Sequence, residues 1–148
     1  MDGFHLANVE LARLGRQDRK GAHDTFDTES YVAILKRVRE QRSDEIVYAP
    51  EFRREIEEPV AGAMPITTRH RLVVTEGNYL LLDSGMWGSV RALLDEVWYV
   101  DIDDVLRTQR LIARHNRYGR SEREAREWIA RTDEPNAQLI ASTRSSPT

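Results

Sequence analysis

A carboxylate, a glycine and an imidazole stand close together at Asp2-Gly3-Phe4-His5. Asp2 could take the proton from a substrate hydroxyl, since a carboxylate held at hydrogen-bond reach is a competent general base. The plain alternative is a turn with an exposed Asp and His. A second carboxylate, Glu76, is followed by Gly77 and Asn78 directly after the apolar run Leu72-Val73-Val74. In an open α/β sheet that is where ligands bind, so Glu76 could order a magnesium-bound water or hold a hydroxyl; otherwise it simply faces solvent. The third constellation is a row of arginines: Arg107, Arg110, Arg114 and Arg117 are spaced three, four and three apart and share one helical face. No acidic residue lies between Asp104 and Arg120 to neutralise them within the helix, which points to an anion such as phosphate; the alternatives are a merely exposed face or pairing with the acidic cluster Glu55, Glu57 and Glu58. The following segment shows the solvated version of a charged face. There Glu122 can pair with Arg126, Arg123 with Glu127 and Glu127 with Arg131, and Ser121 with Glu124 forms a capping box.

These residues need elements to hold them. Leu72-Val73-Val74 and Val97-Trp98-Tyr99-Val100 read as buried parallel strands that deliver Glu76 and Asp101 at their carboxyl ends. Asp27 or Thr28 can cap a helix whose apolar positions Tyr31, Ile34, Leu35 and Val38 recur at helical spacing. Helices are predicted at 86–94, 104–118 and 121–131, and strands alternating with helices argue α/β. Residues 46–66, broken by Pro50, Pro59, Gly62 and Pro65, read as a loop with short strands.

Composition narrows the function further. The chain has 148 residues, 40% hydrophobic and 32% charged, which fits one globular domain. It has no cysteine, and its four histidines are scattered, so neither disulfides nor a zinc site is expected. The longest apolar run, Tyr79-Leu80-Leu81-Leu82, is too short to span a bilayer, and Met1-Asp2 does not open a basic and apolar leader. A cytoplasmic protein without membrane contact is expected. The only lysines are Lys20 and Lys36, and the net charge is −3. With no aromatic platform among the arginines, nucleic acid is the weaker use of the stripe.

Taken in order, the stretches MDGFHLANVELARLG, RKGAHDTFD, VYAPEFRREIEEPVAGA, RLVVTEGNYLLLD, VWYVDIDDVLRTQRLIARHNRYGRS and DEPNAQLIASTR resemble the P-loop kinases that include uridine kinases, type I pantothenate kinases and phosphoribulokinases, and above all their bacterial nucleoside or nucleotide kinase-like members. Together they cover nearly all of residues 1–144. The resemblance implies ATP-dependent phosphorylation, with magnesium, of a hydroxyl on a small metabolite: a nucleoside, a sugar or a vitamin-like alcohol. It makes Asp2 the base, places Phe4 and His5 in the acceptor pocket with Lys20 and Asp27 on its far wall, and puts Tyr48 and Arg54 in the segment covering the acceptor. Glu76 then lies near the magnesium and phosphates. Arg110, Arg114 and Arg117, with Arg107 on the same face, match the lid helix that folds over ATP.

Several positions depart from the family pattern. His23 stands where Pro is expected and Arg53 where Asp is expected, and Leu139 stands near an asparagine of type I pantothenate kinases. The family also opens with an apolar strand and a G-x-x-x-x-G-K-[ST] loop whose amides cradle phosphate, a pattern the 148 residues do not contain. Lys20 precedes its glycine, and Lys36 falls in a helix. The expected fold is therefore a partial P-loop NTPase domain, a parallel sheet with helices on both faces, lacking its first strand and loop and shortened at the carboxyl end. The same reasoning predicts that the chain alone is inactive and binds ATP loosely, and that unpaired strand edges make it marginal or lead it to associate, for example as a homodimer. Two other readings are a non-catalytic metabolite-binding or regulatory module and an arginine-striped nucleic-acid binder.

Overall fold

The computed structural model describes residues 1–144. The chain divides into two compact units, Met1–Asp95 and Glu96–Thr148. Its fold is mixed α/β.

The first unit is built around helix α2, Thr28–Arg39, preceded by the short helix α1, Asn8–Arg13. The Asp27 carboxylate accepts the Ser30 N–H at 3.0 Å and so caps α2, as its sequence position predicts. Lys36, Arg37 and Arg39 in the last turn complement the negative end of the helix dipole. The buried face of α2, Tyr31, Val32 and Leu35, packs into an aromatic cluster. Tyr31 meets Phe4 edge-on with ring centres 5.0 Å apart, and Trp87 lies within 6.1 Å of Tyr31, Phe26 and Tyr79. Each such contact adds about 0.5–1.5 kcal/mol beyond area burial. Trp87 Nε1 donates to the His23 carbonyl and the Tyr79 hydroxyl to the Gly21 carbonyl, so the polar tips of the buried rings are satisfied.

Residues 46–66 differ from their prediction. They form an antiparallel hairpin of β1, Ile46–Arg53, and β2, Glu58–Thr67. The three prolines that argued for a loop are tolerated because a two-stranded ribbon has open edges on which a missing N–H costs no ladder bond. The register breaks between Ala49 and Glu51, opposite Gly62, whose φ of 69° only glycine adopts cheaply. Val47 and Ala49 point into the core and Ile46 and Tyr48 point out.

The run at residues 72–74 makes no ladder bonds among the described residues, and Leu72 and Val74 are exposed. The run at 97–100, in the second unit, behaves the same way. β-propensity prepares a segment for a sheet, but a neighbour's N–H and C=O groups make it a strand. Residues 86–94 form two 3₁₀ turns, Gly85–Ser89 and Arg91–Leu93, in place of one α-helix. Two glycines, Gly85 at φ 56° and Gly88, sit at the start of this segment.

The second unit is helical. It contains α3, Asp104–Arg117, α4, Glu122–Trp128, a π-helical turn at Ile129–Asp133, and α5, Glu134–Ala141. Asp103 caps α3, and the predicted Ser121–Glu124 capping box starts α4. The π turn carries the chain on past the expected end of α4, and Pro135 in the first turn of α5 suits a helix start. Ala125 and Ile129 form its small core.

Candidate active site

Asp2 begins a one-turn 3₁₀ helix, Asp2–Phe4, packed against β1. Gly3 allows that contact: a Cβ on it would lie 2.2 Å from the Pro50 carbonyl oxygen. Phe4 anchors the turn in the core against the Tyr31 ring, and the Tyr31 hydroxyl shares a hydrogen bond with Thr75 Oγ1 at 2.8 Å. That bond ties α2 to the segment carrying Glu76, and burial pushes the Tyr31 phenol above its ordinary value. The Met1 amino group donates to the Glu76 carbonyl at 2.7 Å, and Gly77 leaves room for the Met1 side chain. As a result Asp2, Phe4, Arg54 and Glu76 line one groove of about 330 Å³, with Tyr31 and Thr75 in its wall. The Arg54 guanidinium stands 3.8 Å from the Asp2 carboxylate.

The hairpin also contributes Phe52 to the lining of this groove, a residue that motif reasoning missed. Its ring centre lies 4.9 Å from that of His5, 5.2 Å from Lys20 Nζ and 5.9 Å from the Arg54 guanidinium carbon. His5 also stacks on Phe26 at 4.1 Å, and its Nδ1 lies 2.7 Å from the Asp2 backbone oxygen. Burial lowers the His5 pKa, although Asp2 acts in the opposite sense. Lys20 Nζ donates to Asn8 Oδ1 at 2.7 Å and to the Glu57 carbonyl. Both Glu58 carboxylate oxygens accept from the Asn8 N–H, at 3.1 and 3.0 Å. Asn8 and Glu58 carried no motif because their roles depend on the hairpin folding back to the start of α1.

Two predicted acceptor residues are not brought to this place. Asp27 spends a carboxylate oxygen on its helix cap and lines a separate cavity of about 500 Å³ with His23 and Trp87. Tyr48 lies on the outward side of β1, because alternation along a strand puts it opposite Val47 and Ala49, and it is exposed.

In the second unit the arginine face divides. Arg107 donates to Glu134 at 2.7 Å and to Asp104 at 3.2 Å and is largely covered, so it serves as a structural ion pair. Its neutralising partner comes from α5, which the spacing along α3 could not show. Arg110, Arg114 and Arg117 are exposed and have no ion-pair partner among the described residues. The predicted Arg126–Glu122 and Arg123–Glu127 pairs form on α4, while Arg131 lies over the Trp128 ring. The covered end of α3 carries a relay: Arg120 donates to His115 Nδ1 at 3.1 Å, and His115 Nε2 faces Asp133 at 3.0 Å.

The residues present fit the two groups a kinase uses, to different degrees. Glu76 is an exposed hard-oxygen donor, as magnesium prefers. Among the described residues no group of three or more His, Asp or Glu forms a ready metal cage, and magnesium normally brings water and phosphate ligands of its own. For nucleotide phosphate the exposed arginines of α3 are suitable donors.

No profile of a known protein family matches the chain. An ATP-dependent kinase-like protein of Aspergillus versicolor is 36% identical over 121 residues, covering 78% of this chain and 70% of that protein. The chain belongs to the P-loop kinase family. A Schizosaccharomyces pombe protein named provisionally as a uridine kinase is 30% identical over 153 residues, covering 99% of this chain and 65% of its own length. The crystal structure of a Silicibacter protein, assigned provisionally as a fructose transport system kinase, matches with a TM-score of 0.88 at 32% identity, over 96% of this chain and 68% of that one. The chain thus spans about two thirds of the length of these relatives. Among the described residues no helix is long and apolar enough to cross a membrane.

Proposed function

We propose that this chain forms the acceptor side and the nucleotide-clamping helix of a kinase that transfers phosphate from ATP to a hydroxyl of a small metabolite. The observation that carries this reading is that Asp2 and Glu76, predicted as base and magnesium-side carboxylate, open on one groove with Phe4 and Arg54. Asp2 accepts the proton of the attacking hydroxyl, and Arg54 steadies its carboxylate from 3.8 Å. Phe4 supplies an apolar wall that orients the acceptor. Glu76 would hold magnesium, which when bound neutralises charge on the phosphates. Arg110, Arg114 and Arg117 bind phosphate oxygens, and their guanidinium groups offset charge that grows on the transferred group.

A nucleoside, a sugar or a vitamin-like alcohol suits the reading. The names of the yeast and Silicibacter relatives support the first two. The test is ADP release, with ATP and magnesium, from a version extended at its amino end to carry the complete domain, across a panel of uridine, cytidine, fructose, ribose and pantothenate. Alcohol-dependent turnover that disappears in Asp2→Asn supports the assignment. ATP consumption indifferent to every alcohol and to Asp2 would overturn it, and metabolite binding without ATP turnover would favour the regulatory module.

A further inference from the structure

One side chain touches the supports of both carboxylates that the groove presents. Tyr31, on the buried face of α2, is 2% exposed. Its ring meets Phe4, which lies in the same 3₁₀ turn as Asp2, edge-on at 5.0 Å. Its hydroxyl shares a 2.8 Å hydrogen bond with Thr75, the residue next to Glu76. The two ends of this contact differ in what else holds them. The Asp2 turn is also fixed where Gly3 closes on Pro50, and by backbone bonds from Leu6 to Thr25 and from Asp27 to Phe4. The Glu76 segment has no such frame. Among the described residues it makes no ladder bonds, and the hydrogen bonds that reach residues 72–76 come from Tyr31 and from the Met1 amino group. The Glu76 side chain is 84% exposed, so its aim depends on where its backbone is held. A threonine has few χ1 rotamers, and an Oγ1 bonded to a buried phenol selects one of them.

We infer that Tyr31 and Thr75 are positioning residues that set the Glu76 carboxylate against Asp2, with α2 as the common support for the hydroxyl side and the phosphate side of the groove. This deepens the kinase reading and rests on it. Transfer requires the hydroxyl at Asp2 and the phosphate on the Glu76 side to meet in line, and a displacement of about 1 Å between them can cost about a hundredfold in rate. The bond therefore acts on the transfer step more than on the binding of either ligand. Burial keeps the Tyr31 phenol above its ordinary value, so the hydroxyl keeps its proton where such a reaction runs.

Two measurements test this. In the ligand-free chain of 148 residues, three-bond NMR couplings of the Thr75 methyl carbon report its χ1 angle. They should show one rotamer in the wild type and averaging in Tyr31→Phe, which keeps the ring and removes only the hydroxyl. The second measurement is steady-state kinetics on a version extended at its amino end to carry the complete domain, with the most active alcohol among uridine, cytidine, fructose, ribose and pantothenate. There kcat should fall about five- to twentyfold in Tyr31→Phe and in Thr75→Val, with KM for ATP and for the alcohol within about twofold of wild type. Thr75→Ser keeps the hydroxyl and should keep kcat within about twofold. The double variant should be no slower than the slower single one, because both changes remove the same bond. Should Thr75→Val fail to fold, Tyr31→Phe carries the test with Thr75→Ser as its control. Unchanged couplings in Tyr31→Phe, additive losses, or a lowered melting temperature with kcat of the folded protein unchanged overturns the inference and leaves the kinase reading standing. Averaged couplings in Tyr31→Phe, with no transfer to any alcohol by the wild type, would overturn both the kinase reading and the role in transfer.

Discussion

Asp2 owes its position to three neighbours: Gly3, which lets the turn approach Pro50; Phe4, which anchors the turn; and Arg54, which faces its carboxylate. In a version extended at its amino end to carry the complete domain, replacing Asp2 by Asn removes only the proton acceptor, so steady-state turnover should fall by about two to four powers of ten with ATP affinity nearly unchanged. Unchanged turnover would return Asp2 to a structural role. Gly3→Ala tests the support instead. Its methyl group would collide with the backbone at Pro50, so denaturant titration should show a loss of about 1–3 kcal/mol, the usual cost of overpacking. His5 adds a pH dependence. Burial holds its pKa below the ordinary value, so the unfolded chain takes up that proton more readily. The His5 contribution is present in full above about pH 6.5, the unfolded value, and is lost as pH falls through the folded one. The denaturation midpoint should therefore drop between pH 7.5 and 5.5, and drop less in His5→Gln. Equal drops would mean that the other histidines account for the effect.

At the scale of elements, the helix α3 separates structural from functional charge. Arg107 bridges α3 to Glu134 on α5, whereas Arg110 and Arg114 project without partners among the described residues. Arg107→Met leaves Glu134 without its guanidinium and should lower stability by about 1–3 kcal/mol. Arg110→Gln or Arg114→Gln should leave thermal stability within about 0.5 kcal/mol while weakening phosphoryl transfer. Similar melting losses in all three variants would erase the distinction. The cap on α2 is separable in the same manner. Asp27→Ala should cost about 1 kcal/mol and leave KM for the acceptor unchanged, because the carboxylate is engaged with Ser30. A raised KM would restore Asp27 to the acceptor wall.

For the whole molecule the two exposed apolar runs matter most. Leu72 and Val74 in one unit and Trp98 and Val100 in the other are 80–87% exposed, and neither run has a ladder partner among the described residues. Exposed β-rich edges with apolar side chains are templates for pairing. The chain should associate in a concentration-dependent way in sedimentation experiments, and Val74→Lys with Val100→Lys should shift it toward the monomer. A monomer at all concentrations with the wild-type residues would show that these runs are inert in solution.

Much of this arrangement was legible in one dimension because it depends on local rules. The cap at Asp27, the capping box at Ser121, the helical spacing of Tyr31 and Leu35, and the bounds of α3 follow from neighbours within a turn or so, and the ordered motifs carried the family. What depended on distant residues was not legible. Alternation in β1, with the prolines harmless at open edges, decided that Tyr48 faces away, and the hairpin's return to the start of α1 brought Phe52 to His5 and Lys20. The separation of Arg107 from Arg110, Arg114 and Arg117 required Glu134, 27 residues along the chain. Spacing fixes which side chains share a face, because 3.6 residues make a turn whatever else the chain does. Tertiary packing alone decides which of those faces meets a counter-charge, since that partner arrives from another element.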